Sequence, residues 1–191
     1  LIKIAKDAGA DAVKFQNYTA DSLVSEHEFK KISNTSHQKN WKNSVYETYK
    51  NAELNIKWMS ELSFTAKKNN IDFITSPYSY QLSDSVKNFV SAYKIGSGDI
   101  SWTDFIEHLA AKNLPVILAT GASDDFEVDL AVNAIRKYSK NLILMQCNTN
   151  YSNDDANFDY INLKVLTEFK QKYPSIILGL SDHTQRSETA L

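Results

Sequence analysis

The chain has 191 residues, 42% hydrophobic and 23% charged, proportions that allow it to bury a core of its own. Its 21 Lys and Arg against 23 Asp and Glu leave a formal charge of −2, which argues against a nucleic acid or a membrane surface held through bulk charge. No run reaches the roughly 18 apolar residues of a membrane span, and a single cysteine, Cys147, excludes an intrachain disulfide and fits a reducing, cytoplasmic setting.

Residues 1–9 read as the second half of an amphipathic helix capped by Gly9, so the chain is expected to begin inside an element. Strands are then predicted near 11–15, 71–75, 92–96, 115–119, 142–146 and 176–180. They are short, apolar on both faces and rich in Val and Ile, as buried parallel strands are. Helical periodicity falls between them, near 54–69, 81–90, 102–112, 124–138 and 160–172. Asp124 offers an N-cap, with Glu127 three residues on. Residues 17–53 form one long excursion carrying Tyr18, His27, His37, Trp41, Tyr46 and Tyr49, the size of a binding loop.

Strict alternation of strand and helix predicts an α/β fold, either a doubly wound sheet or a (β/α)8 TIM barrel. No Gly-x-Gly-x-x-Gly follows a strand, and polar residues stand at the C-terminal end of every strand, which favours the barrel. Six strands are visible of the eight a barrel needs. The expectation is therefore an incomplete barrel, strands two to seven, occupying residues 1–191 as one partial catalytic domain.

Several strand-end residues have chemistry of their own. Lys14 and Lys94 sit inside apolar strands, where an unpaired charge is costly, so each is a candidate clamp on an anionic substrate. Outward snorkelling at a strand end, or a Schiff-base amine, are the other readings. Ser97 lies between Gly96 and Gly98, and their amides with its hydroxyl read as a phosphate nest or simply a tight turn. Asp99 either handles a proton or sugar hydroxyls, or caps the next helix. His183, in Ser-Asp-His-Thr after the last strand, is a candidate metal ligand. Asp182 is expected to orient its neighbours, and Cys147 to be a small buried hydrophobe.

The segments 8–16 (Ala-Gly-Ala-Asp-Ala-Val-Lys-Phe-Gln), 93–99 (Tyr-Lys-Ile-Gly-Ser-Gly-Asp), 117–121 (Ile-Leu-Ala-Thr-Gly), 146–151 (Gln-Cys-Asn-Thr-Asn-Tyr) and 179–184 (Gly-Leu-Ser-Asp-His-Thr) together resemble the sialic acid synthase family. Residues 44–54 fit as well, and the resemblance covers nearly the whole chain in order. It implies condensation of phosphoenolpyruvate with an N-acetylated amino sugar, N-acetylmannosamine or a 2,4-diacetamido relative, to a nine-carbon 2-keto acid and phosphate. It implies Mn2+ or Mg2+ held by His183 and a second histidine from a last strand not present here, and a homodimer closed by an antifreeze-like C-terminal domain, also not present. Gln16 and Tyr151 resemble sugar contacts. Ser76 and Thr149 resemble phosphoenolpyruvate contacts, and Ser181 a phosphate donor. Ala119 stands where the family often has serine, which moves that hydrogen bond to Thr120 or removes it, and Gln146 stands where some members have His or Lys. The Gly-Ser-Gly-Asp segment looks closer to the sialic and legionaminic branches than to the pseudaminic one. The alternatives are a legionaminic or pseudaminic acid synthase, another phosphoenolpyruvate-dependent enzyme condensing an aldose, or an inactive fragment of low solubility with open strand edges.

Overall fold

In a computed structural model of the chain, residues 1–29, 41–151, 155–184 and 187–189 are described. His37 and Arg186 lie outside them. The chain falls into two compact units, Leu1–Tyr93 and Lys94–Leu191. In both, strands alternate with helices in chain order, and the α/β class is the one expected.

The first unit opens with α1 (Ile2–Asp7), which ends as anticipated. Gly9 takes φ +90°, a left-handed conformation that costs glycine nothing, and its N–H bonds the Lys6 carbonyl at 2.9 Å. Next come β1 (Ala12–Asn17), two short helices α2 (Ala20–Leu23) and α3 (Glu26–Phe29), then α4 (Val45–Asn51), α5 (Met59–Lys68), β2 (Asp72–Pro77), α6 (Tyr80–Val86) and the start of β3 (Ala92–Ile95). β1 pairs β2 in parallel, with Lys14 opposite Ile74 and Gln16 opposite Ser76; Thr75 of β2 lies opposite Tyr93. The face of β1 bearing Ala12, Lys14 and Gln16 is exposed, so this strand is not apolar-buried on both sides as its composition predicts.

The excursion between β1 and α5 is pinned at its stem. The Tyr18 hydroxyl donates to the Ala52 carbonyl at 3.4 Å, and the Ala20 N–H donates to Glu53 Oε1 at 2.6 Å. Ser44 and Glu47 exchange the two bonds of a capping box at the start of α4. Rings of Trp41, Tyr49, Tyr18 and Tyr78 meet edge to face at centroid distances of 5.8, 5.7 and 6.1 Å. These aromatics are packing groups first.

The second unit holds α7 (Thr103–Ala110), β4 (Val116–Ala119), α8 (Asp125–Arg136), β5 (Leu142–Cys147), α9 (Val165–Lys172) and β6 (Ile177–Ser181). β4, β5 and β6 pair in parallel in that order. Val116, Leu118 and Leu144 of the strands and Ile106, Leu109, Val132 and Ile135 of the helices are fully buried and form its core. Asp124 and Glu127 make the expected capping box, with bonds of 2.9 and 3.0 Å. The helix expected over 160–172 begins at Val165; a 3-10 turn, Asp155–Tyr160, stands before it. That turn is held by Asn157, a buried amide that reaches Asn150 O at 2.9 Å and Asn148 Nδ2 at 3.2 Å, so local side-chain bonds displace the helix.

Candidate anion-binding site at the strand ends

Parallel pairing puts register partners on the same face of a sheet. On β5 and β6 one face therefore carries three successive pairs, Ile143 with Ile177, Met145 with Gly179, and Cys147 with Ser181. A Cβ at Gly179 would stand 3.1 Å from Met145 Cε, so a larger residue there would require the Met145 side chain to shift. Above it the face turns polar. Lys94, from the second half of β3, donates from Nζ to Ser181 Oγ at 3.0 Å. Lys94 is half-buried and makes no ion pair with any described residue. Burial holds its amine below the ordinary lysine range, and the neighbouring Cys147 acts in the opposite sense. A desolvated cation whose hydrogen-bond partner is a neutral hydroxyl is an electrostatic vacancy for an anion.

The loops after β3, β4 and β5 meet at Gly121. It has φ +59°, and a Cβ added there would lie 2.3 Å from Ser97 Cβ and 2.7 Å from Thr149 Cγ2. Only a glycine lets Ser97 and Thr149 approach this closely, and their hydroxyls are donors of the kind a phosphate or carboxylate needs. Ser97–Asp99 is one 3-10 turn. Burial raises the pKa of the Asp99 carboxyl above its ordinary value. Asp99 is not the cap of α7; Trp102 occupies that position.

After β6, Asp182 accepts from the Thr184 N–H at 3.2 Å and from its hydroxyl, folding the turn that carries His183. The orienting role expected of Asp182 is thus visible. His183 is half-buried and its ring stands 4.5 Å from that of Tyr151, which comes from the loop after β5. Among the described residues no group of three His, Cys, Asp or Glu side chains gathers to hold a metal ion.

The sequence-predicted residues are thus sorted. In the second unit Lys94 and Ser181 bond directly, Ser97 and Thr149 converge on Gly121, and the rings of His183 and Tyr151 meet at a tilt. Thr120 stands apart. Its hydroxyl donates to the Met145 carbonyl at 3.2 Å and lies 3.3 Å from Gln146 Oε1, on the face opposite to that of Met145 and Cys147. Thr120 does not take over the position of Ala119, which is the residue paired with Met145. In the first unit Gln16 and Ser76 are register partners, and Gln16 Nε2 donates to the Tyr78 hydroxyl at 3.2 Å. Lys14 is exposed, so the cost of burial that made both lysines candidates applies to Lys94 and not to Lys14. Residue types alone did not single out Gly121 or Tyr78. The Thr-Gly pair closing β4 was the available sign of the first; nothing marked the second.

His108 lies on α7 with its ring 6.3 Å from Phe105, and His27 is exposed beside Glu28, so neither joins the site. No described helix is long and apolar enough to cross a membrane.

The chain is 34% identical to N,N'-diacetyllegionaminic acid synthase of Legionella pneumophila, over 96% of this chain and 52% of that protein. It is 33% identical to pseudaminic acid synthase of Campylobacter jejuni, over 96% of this chain and 52% of that protein. The crystal structure of N-acetylneuraminic acid synthetase from Leptospira borgpetersenii superposes on 98% of the chain with a TM-score of 0.83 at 28% identity, and 60% of that protein is covered. The likeness supports the (β/α)8 assignment. The chain spans about half the length of the curated relatives it matches. A family model matches residues 1–191 without a break, and with the strand-end residues placed as above, the chain belongs to the NeuB family.

Proposed function

We propose that the protein condenses phosphoenolpyruvate with an N-acetylated amino sugar and water, giving a nine-carbon sialic-type 2-keto acid and phosphate. The observation that carries this reading is the Lys94 ammonium, half-buried, bonded to Ser181 and free of any ion pair with a described residue, on the same unit as the Ser97–Gly121–Thr149 junction. A cation with convergent hydroxyls suits a substrate carrying a carboxylate and a phosphate. Carbon 3 of phosphoenolpyruvate attacks the aldehyde of the open-chain sugar, water adds at C2, and phosphate leaves with C–O cleavage. Lys94, Ser97, Thr149 and Ser181 hold the anion. Asp99, protonated more readily than an exposed carboxyl, is placed in the role of proton donor to the new alkoxide. Tyr151 and His183 face the sugar. Lys14, Gln16 and Ser76 are assigned to substrate on the family resemblance, and Thr120 is left with a structural role.

The Mn2+ or Mg2+ that the resemblance implies would polarise the aldehyde. On that resemblance His183 would supply one ligand toward it. A cytoplasmic homodimer is the setting we assign on the same resemblance. Relatives named for legionaminic and for pseudaminic acid match at 34% and 33% identity, so acceptor choice is read by experiment.

Phosphate release from phosphoenolpyruvate by the full-length protein tests the reading. Release that requires N-acetylmannosamine and a divalent cation, and disappears in His183→Ala, is the expected outcome. Release with a 2,4-diacetamido-6-deoxy hexose instead keeps the reaction and moves the product to the legionaminic or pseudaminic type. Silence with every acceptor from folded protein overturns it. Borohydride trapping of pyruvate on Lys94 would mark a Schiff-base enzyme instead.

A further inference from the structure

The Cys147 thiol is left over by the reaction scheme, yet it stands on the polar layer that holds Lys94. Cys147 and Ser181 are register partners at the ends of β5 and β6, so their side chains leave the sheet on one face. Ser181 Oγ on that face accepts from Lys94 Nζ at 3.0 Å. Both residues are buried, Cys147 at 4% exposure and Ser181 at 8%. The ammonium is therefore set beside two small side chains, a hydroxyl and a thiol, over the apolar Met145–Gly179 pair. Each is polar enough to solvate the cation, and neither is a carboxylate. A carboxylate at either position would form an internal ion pair and occupy the cation before any substrate arrived.

We propose that Cys147 is a positioning residue for the anion site: a small, polarisable wall beside Lys94, where a carboxylate would pair with the ammonium, so that its charge is spent on the substrate's anionic group. The inference rests on the reading that Lys94 binds phosphoenolpyruvate. It assigns the thiol an electrostatic task, in place of the packing role that its burial alone suggests. No covalent chemistry at sulfur is involved. The requirement at this position is a small side chain without charge.

Three variants separate charge from shape. Cys147→Ser keeps size and neutrality, Cys147→Asn introduces the bulk of a carboxamide, and Cys147→Asp has nearly the same bulk with a negative charge. In the full-length protein, Cys147→Ser is expected to keep the KM for phosphoenolpyruvate within about twofold of the original. Cys147→Asp is expected to raise it roughly tenfold or more above Cys147→Asn, with kcat at saturation altered much less. Equal KM values in the Asp and Asn variants overturn the proposal, as does a Cys147→Ser enzyme as impaired as Cys147→Asp. A second measurement does not depend on substrate identity. In the full-length protein the titration of Cys147 is read as the thiolate ultraviolet absorbance that Cys147→Ser removes, in the original background and in Lys94→Met. Loss of a neighbouring ammonium shifts the titration to higher pH; an unchanged titration overturns the proposal even if phosphoenolpyruvate proves not to be the substrate. Absent turnover with a shifted thiol would instead discard the substrate reading and keep the pairing of Cys147 with Lys94.

Discussion

Lys94 concentrates the tension between folding and binding in one side chain. Its pKa in the folded protein lies below that of the unfolded chain, because burial penalises the charged form. Between the two values the unfolded chain holds a proton that the folded one lacks, so stability rises with pH through that window, and below it the folded state carries a poorly solvated charge. Lys94→Met is accordingly expected to raise the melting temperature at neutral pH, by about 1 kcal/mol of stability, while abolishing phosphoenolpyruvate binding; calorimetry showing a lower melting temperature would contradict this. In the unaltered protein the KM for phosphoenolpyruvate should climb with pH beginning below the usual lysine range. Asp99 has the converse behaviour. Its folded-state pKa is raised, so its contribution is fully present below the unfolded carboxyl value and is lost as pH rises through the folded value. Asp99→Asn should therefore flatten the fall in stability across the mildly acidic range, read by denaturant titration at several pH values, and lower kcat more than the KM for phosphoenolpyruvate if Asp99 donates a proton in the reaction.

Loops and helix ends carry the next set of expectations. Gly121→Ala forces a Cβ to within 2.3 Å of Ser97 in a left-handed backbone, a cost of at least about 2 kcal/mol unless the junction opens. Reduced melting temperature together with weakened anion binding is the expected pair of results. Asp124→Ala removes the side-chain half of the α8 cap and should cost about 1 kcal/mol, measured by urea unfolding, without changing substrate affinity. At this scale the sequence was most legible. Apolar runs bounded by polar residues located every strand to within two residues, because a buried parallel strand leaves a dense Val and Ile signature. The capping box at Asp124 and the glycine stop at Gly9 are local devices and were readable for the same reason. What escaped depends on partners distant in sequence. Lys14 and Lys94 look alike in their strands, yet one is exposed and one half-buried, since burial is decided by what covers a face. Thr120 and Ala119 are adjacent in sequence and lie on opposite faces, a distinction set by register. The junction at Gly121 needs three loops to meet, and no single segment encodes it.

Across the whole molecule, order should be graded. Fully buried Val116, Leu118 and Leu144 belong to strands hydrogen-bonded within the second unit, whereas α3 is four residues long and has no buried member. Amide hydrogen exchange is expected to be slowest along β4 and β5 and to approach the unprotected rate in α3; comparable protection in both would show that the excursion is held by more than its stem. That stem has an evolutionary consequence. Tyr18 to Ala52 and Ala20 to Glu53 close the excursion at its neck with bonds that do not involve the residues between α2 and α4. A loop closed at its base can lengthen, shorten or be exchanged at a small entropic cost, because each doubling of length adds only about 0.6 kcal/mol. Lineages could thus trial new excursions on an unchanged scaffold, as a plug is swapped in a fixed socket, and grafting residues 21–51 between family members is the direct laboratory counterpart.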